Sequence, residues 1–229
     1  MKKKVKVAII DNSIDPSVYT PVAHWKMNLN VSWQDFRAKE GRFPGLSSGF
    51  THIILTGSEA SITERETWVD REINFVMQAV ELGVPVLGSC WGHQLLAVAF
   101  AGKSHVRRSP KPEVGWLPIT ITQDDCLFGG TNLAYVFNSH FDEVMNLGSD
   151  FFTVSASSKD CPIHAFQLRG KPVWGIQSHP EINIAQAETY LRNNIARQHE
   201  ASPLFEQALK SCPRDSGVIS RVIANFLRA

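Results

Sequence analysis

The chain has 229 residues, 43% of them hydrophobic and 20% charged, a profile that fits a folded globular protein and excludes a disordered one. The formal net charge is +1 and Lys and Arg gather into no patch, so a nucleic-acid-binding domain is not expected. The apolar stretch Val5 to Ile10 is too short for a signal peptide and no run reaches membrane-spanning length, so no membrane association is expected and the expected compartment is the cytoplasm.

Lys2-Lys3-Lys4 reads as a solvated chain end. Val5 to Ile10 is β-branched and short, and Asp11-Asn12 marks a turn, which predicts a first strand opening into a loop. Residues 12 to 50 mix Pro, Gly and aromatics; a helix and a short strand around Val31 are expected there. His52 to Leu55 is the next strand. Ser61-Ile62-Thr63-Glu64 has the form of a capping box, and apolar residues at helical spacing run through Trp68, Ile73, Val76 and Val80 to a stop at Gly83. Val84 to Gly88 is a short buried strand, and a helix over Leu95 to Ala101 ends at Gly102. This alternation predicts a parallel sheet covered on both faces.

The second half changes character. Residues 115–122, 134–138, 151–156, 164–168 and 172–177 read as strands joined by turns. The chain is helical again after Asn183, with short helices over 204–210 and 218–227. The expected architecture is a flavodoxin-like α/β sandwich of three layers. Its central sheet is mostly parallel, with a smaller antiparallel section around 115 to 175. Residues 1–195 form the domain, and 196–229 a C-terminal helical extension packed on it.

Cys90, Cys126, Cys161 and Cys212 are widely scattered, with no C-x-x-C pair and no Cys/His zinc spacing. Neither a disulfide framework nor a metal site nor a cofactor is expected, and a free thiol is. One of the four stands out. Gly88-Ser89-Cys90-Trp91-Gly92 has the form G-x-C-x-G at a strand–helix junction, the cysteine counterpart of the nucleophile elbow. Small residues two positions before and after the nucleophile let strand and helix pass close together. The turn sets the sulfur at a helix N-terminus, which favours thiolate, and the N–H of Trp91 is placed to help hold an oxyanion.

A thiolate attacking an amide needs a group to protonate the leaving amine. Ile176-Gln177-Ser178-His179-Pro180-Glu181 supplies one at the end of a predicted strand. His179 serves as general acid and base, Glu181 orients it, and Pro180 stiffens the segment. A cysteine alone after a strand is ordinarily a small buried residue, and a lone histidine ordinarily structural. The two motifs together are different, because each lies at the carboxyl end of a predicted parallel strand, where such sheets bind ligands.

Pro85 to Ala97 closely resembles the nucleophile region of class I, triad-type glutamine amidotransferases, and Ser178-His179-Pro180-Glu181 resembles the family's His-Pro-Glu segment. Ser139-His140-Phe141-Asp142-Glu143-Val144 is similar to its substrate-side His-x-Asp-x-Val stretch. The resemblance covers about residues 50 to 185, with the motifs in order, and is to a stand-alone glutaminase domain of the GMP-synthase kind. It implies that Cys90 is the nucleophile, His179 the acid and base and Glu181 the third member. It places Gln94, Ser139, His140 and Phe141 against the substrate, the last three largely through backbone groups. Gly57-Ser58-Glu59 stands where many relatives have Gly-Gly-Pro, so Gly57 and Ser58 both remain candidates for the second oxyanion N–H.

The expected reaction is hydrolysis of the glutamine side-chain amide through a glutamyl thioester on Cys90, releasing ammonia, with no metal needed. The chain has no recognisable nucleotide-binding segment. It is therefore expected either to pass ammonia to a separate synthase or to hydrolyse γ-glutamyl peptides or conjugates with the same triad. A catalytically silent binding module is the alternative of another class, and the intact Cys90, His179 and Glu181 argue against it. Gly102-Lys103-Ser104 lacks the upstream glycine of a phosphate-binding loop and reads as a helix stop. Arg107-Arg108 with Lys111 reads as a solvated loop, or otherwise as a contact for a partner or an anionic acceptor. Trp116, Phe128 and Phe137 are expected in the core, and Asp124-Asp125 in a turn.

Overall fold

The structure is a computed structural model and describes residues 4–64, 66–122, 126–197 and 201–229. Lys2, Lys3, Asp124 and Asp125 lie outside the described residues. The elements in chain order are β1 (Lys6–Asp11), α1 (Pro21–Lys26), β2 (Ser32–Arg37), β3 (His52–Leu55), α2 (Thr67–Glu81), β4 (Val86–Ser89) and α3 (Trp91–Ala101). There follow β5 (Val106–Ile121), β6 (Leu133–Val144), β7 (Phe152–Ser157), β8 (Ala165–Leu168), β9 (Val173–Ile176), α4 (Ile184–Ile195), α5 (Ser202–Lys210) and α6 (Ile219–Phe226).

The nine strands form one sheet in the order β2-β1-β3-β4-β9-β8-β7-β5-β6. From β2 to β9 every pairing is parallel, and from β9 to β6 every pairing is antiparallel. Alternate residues of a strand face opposite layers. Ala8, Ile10, Ile53 and Leu55 pack with Trp68 and Phe75 of α2 and Leu95 and Leu96 of α3. Val7, Ile9, Ile54 and Leu87 pack on the other face with Trp25 of α1 and Val222, Ile223 and Phe226 of α6. The result is the expected three-layer α/β sandwich. Trp116 and Phe137 join a third cluster with α4 and α5, and Phe128 lies in the second.

Three local expectations need correction. The antiparallel section is larger than expected and begins at Val106, because β5 runs sixteen residues and pairs along β6 across a register shift between Arg108 and Glu113. Arg107 and Arg108 therefore lie on a strand and pair with Glu143 and Asp142, at 2.7 and 3.2 Å. Secondly, the helix after β3 does not begin at Ser61. Residues 62–64 make a single 3-10 turn and α2 starts at Thr67. Asp142 is the reason: Ser61 Oγ donates to its Oδ2 at 2.6 Å and the Ile62 N–H at 3.1 Å, so a distant carboxylate takes what a local cap would use. Lastly, α3 begins at Trp91 instead of Leu95.

Other endings follow the sequence. Gly83, at φ +75°, closes α2, with Val84 N–H bonded to the Ala79 carbonyl and Gly83 N–H to that of Val80. Gly102, at φ +103°, ends α3. Asn183 and Gln186 form a reciprocal capping box at the start of α4. Among the described residues, no helix is long and apolar enough to cross a membrane.

Candidate active site

Parallel strands β4 and β9 lie side by side, with Ser89 opposite Ile176, and each ends at one half of the site. The chain turns sharply at Cys90, whose φ of 50° and ψ of −104° lie where side-chain-bearing residues are strained. The flanking glycines explain how the turn fits. A Cβ on Gly92 would stand 2.5 Å from the Leu55 carbonyl oxygen, and one on Gly88 would strike the backbone of Gly92. The Cys90 N–H donates to the Ile176 carbonyl at 2.8 Å and its own carbonyl accepts from Gln94 N–H at 3.1 Å, which ties the elbow to both strand and helix. The first N–H groups of a helix have no partner within it, so the start of α3 offers donors beside the sulfur.

His179 follows β9. Its N–H donates to the Phe137 carbonyl at 2.8 Å, an isolated bridge that folds the edge strand β6 back over the end of β9. This curl brings Ser139 to Cys90, whose Sγ lies 3.7 Å from the Ser139 carbonyl oxygen. His179 Nδ1 is 2.9 Å from Glu181 Oε1, and the Cys90 side chain acts on the same ring electrostatically. Cys90, His179 and Glu181 thus stand in a row, each at most 5% exposed. Burial opposes charge on His179, but Cys90 and Glu181 outweigh it and raise its pKa well above the usual histidine range.

The remaining expected residues surround this row. Gly57 sits beneath His179: a Cβ there would be 2.7 Å from Cε1 of the ring. Ser58 lines the cleft in front of Cys90, as do Trp91, Gln94, Ser139, His140 and Phe141. The cleft encloses about 620 Å³. Trp91 stacks on Trp68 with centroids 5.0 Å apart. The Gln94 Nε2 donates to the Asp142 carbonyl at 2.9 Å and to Gln177 Oε1 at 3.2 Å, which leaves its Oε1 for a ligand. The His140 ring is turned to Glu113 and to the Asp142 carbonyl, so its nitrogens are engaged within the protein.

Four further residues also belong here, of which the sequence marked only Arg108, as a possible contact for a partner or an anionic acceptor. The Tyr19 hydroxyl lies 3.2 Å from both His179 Nδ1 and Glu181 Oε1. The Tyr190 hydroxyl is 3.1 Å from Ser139 Oγ. Glu59 lines the cleft and accepts from the Ile14 N–H at 3.0 Å; burial raises its pKa. Arg108 is the one cation lining the cleft among the described residues, with its guanidinium 5.3 Å from the centroid of Phe141. Tyr19 falls in a stretch without periodic signal, and Tyr190 sits on the buried face of α4 like any core aromatic.

A mixed α/β sheet with a cysteine on a strand–helix elbow, backed by histidine and glutamate, defines the class of cysteine-nucleophile α/β proteins. The chain belongs to the class-I glutamine amidotransferase family, whose model matches residues 8–198. It is 42% identical over 115 residues to one of the subunits of the glutamine-hydrolyzing GMP synthase of Pyrococcus abyssi, covering 49% of this chain and 60% of that one. The match thus spans less than two thirds of that relative's length. A glutamine amidotransferase of Methylobacillus flagellatus has the same fold at a TM-score of 0.76 and 19% identity, covering 99% of this chain and 94% of that one. One from Thermotoga maritima matches at 0.75 and 17%, over 99% of each chain.

Proposed function

We propose that this chain hydrolyses the side-chain amide of glutamine and supplies the ammonia to a separate synthase. The observation that carries the reading is the contact of the strained Cys90 with the His179–Glu181 pair at the floor of the cleft. The Cys90 sulfur attacks the amide carbon, and the carbonyl oxygen becomes an oxyanion held by the N–H of Trp91 and a second N–H from the loop after β3. Ser58 suits that second role better than Gly57, since Ser58 faces the cleft while Gly57 supports the His179 ring. The C–N bond breaks as His179 protonates the departing ammonia, leaving a glutamyl thioester. Water then attacks the thioester with His179 as base, and glutamate leaves with Cys90 restored. Glu181 holds the imidazolium through Nδ1 throughout. Gln94, Ser139 and Phe141 position the amino-acid end of the substrate, with the His140 backbone between them.

The Pyrococcus abyssi relative is by name one subunit of a synthase, which supports a partner for this chain. The amidotransferase domain is taken as 1–195, close to where the family match ends, with 196–229 as an extension packed against it. A thiol nucleophile persists in a reducing compartment, which favours the cytoplasm. The cleft also has room beyond a single glutamine and carries Arg108 at its wall, which favours γ-glutamyl peptides as a second reading. Rates on free glutamine and on γ-glutamyl amides separate the two. Turnover of γ-glutamyl peptides with none of glutamine would overturn the first, and failure of a glutamine-mimicking electrophile to label Cys90 would overturn both.

A further inference from the structure

A buried cluster outside the proposed triad begins one residue beyond Ser139. Glu113 on β5, His140 on β6, and Cys161 and His164 between β7 and β8 are 6, 2, 1 and 0% exposed. One donor atom from each lies within 4.8 Å of the other three. Glu113 Oε2 contacts His140 Nε2 at 2.9 Å and His164 Nε2 at 2.8 Å, while its Oε1 accepts from Ser158 Oγ at 2.5 Å.

The hydrogen bonds around His140 raise a question of proton count. Its Nδ1 is 3.1 Å from the Asp142 carbonyl oxygen, which only accepts, so Nδ1 carries a proton. A neutral imidazole has one proton in all, and Nε2 then turns a lone pair toward the Glu113 carboxylate. Two lone pairs at 2.9 Å require a positive centre, either a second proton or a cation.

We propose that Glu113, His140, Cys161 and His164 bind one divalent transition-metal ion of the zinc type. One thiolate, one carboxylate and two imidazoles are the donors that zinc takes in four-coordinate sites, and not those of magnesium or calcium. Thiolate and carboxylate together carry two negative charges, so the occupied site is neutral in a core that tolerates net charge poorly. The bond from His140 Nδ1 to the Asp142 carbonyl is the outer-shell support that fixes a ligating histidine with its other nitrogen toward the metal. Binding opens the His–Glu contacts to roughly 3.4 Å, the edge of a tetrahedron with bonds near 2.1 Å. All four positions come from protein, so the site is structural. It clamps β5, β6 and the β7–β8 connection behind the strand that brings Ser139 to Cys90.

The test is a Co²⁺ titration of the full chain after dialysis against a chelator, followed by absorption spectroscopy. The expected result is intense d–d bands of a four-coordinate ion with a thiolate-to-cobalt charge-transfer band, saturating at one equivalent and displaced by Zn²⁺. Cys161→Ser is expected to lose the charge-transfer band, and His164→Gln to weaken Co²⁺ binding by at least about tenfold. A folded parent protein that develops no such bands overturns the proposal without reference to any variant. A charge-transfer band that persists in Cys161→Ser overturns it as well, since the thiolate would belong to another cysteine. No readout depends on glutamine turnover.

Discussion

A methyl group on Gly57 would stand 2.7 Å from Cε1 of His179. The glycine after β3 is therefore the floor on which the imidazole rests, and a side chain there has to push the ring off its line between Cys90 and Glu181. Gly57→Ala is expected to lower kcat on glutamine about 100-fold, the scale of an ångström-sized misplacement of a reacting group. Alkylation of Cys90 and the thermal midpoint should show that the fold survives. A variant with parental kcat would remove Gly57 from the site's support.

The Tyr19 hydroxyl donates to Glu181 at 3.2 Å, in a place where both groups are buried. A hydrogen bond to a charged group contributes about 1.5–3 kcal/mol, so Tyr19→Phe is expected to cost roughly tenfold or more in kcat with little change in KM. Steady-state kinetics on glutamine check the split. A rise in KM alone would mean that Tyr19 touches the substrate instead of the His179–Glu181 pair.

Among the groups that raise the pKa of His179 against burial, Cys90 is the largest. Removing it leaves burial, which favours the neutral ring, opposed by Glu181 alone. In Cys90→Ala the His179 ring is accordingly expected to lose its proton at lower pH than in the parent, as followed by ¹⁵N NMR of the imidazole. An unchanged titration would show that the two side chains are not electrostatically coupled. Glutamine turnover in the same variant is expected to vanish, with the fold intact.

Glu72 on α2 is fully buried, and burial pushes its pKa to about 8 from an ordinary 4.5, with the Asn12 amide opposing the shift. The folded state thus prefers the neutral acid. The sign follows: this preference is fully favourable below pH 4.5, weakens as the unfolded chain ionises, and is lost as pH rises through 8. Glu72→Gln keeps the neutral shape and does not titrate. Its stability in urea melts is expected to match the parent near pH 4 and to exceed it by about 4 kcal/mol at pH 8. A constant difference across that range would contradict the assignment.

Much of this protein is legible in one dimension. The parallel strands, the stops at Gly83 and Gly102 and the elbow at Cys90 rest on local rules: side-chain alternation, glycine at positive φ, and small residues where backbones touch. His179 and Glu181 are readable for the same reason, since they share one short segment and contact each other directly. The false capping box at Ser61 shows the limit of such rules. Its local pattern is satisfactory, and Asp142, eighty-one positions away, takes the hydroxyl.

The sequence by itself determined the fold class and singled out the proposed nucleophile and its proposed acid–base partner, because each depends on neighbours in the chain. Only the tertiary structure decided what surrounds them. The curl that bridges Phe137 to His179 carries β6 over the end of β9, and with it come Ser139 against Cys90, Arg108 at the cleft and His140 beside Glu113. Tyr19 reaches the triad from 160 positions away. Such contacts arise from how strands pair across the sheet. That pairing minimises unpaired strand edge and the apolar surface left in contact with water, a balance summed over the whole chain and written in no single segment of it.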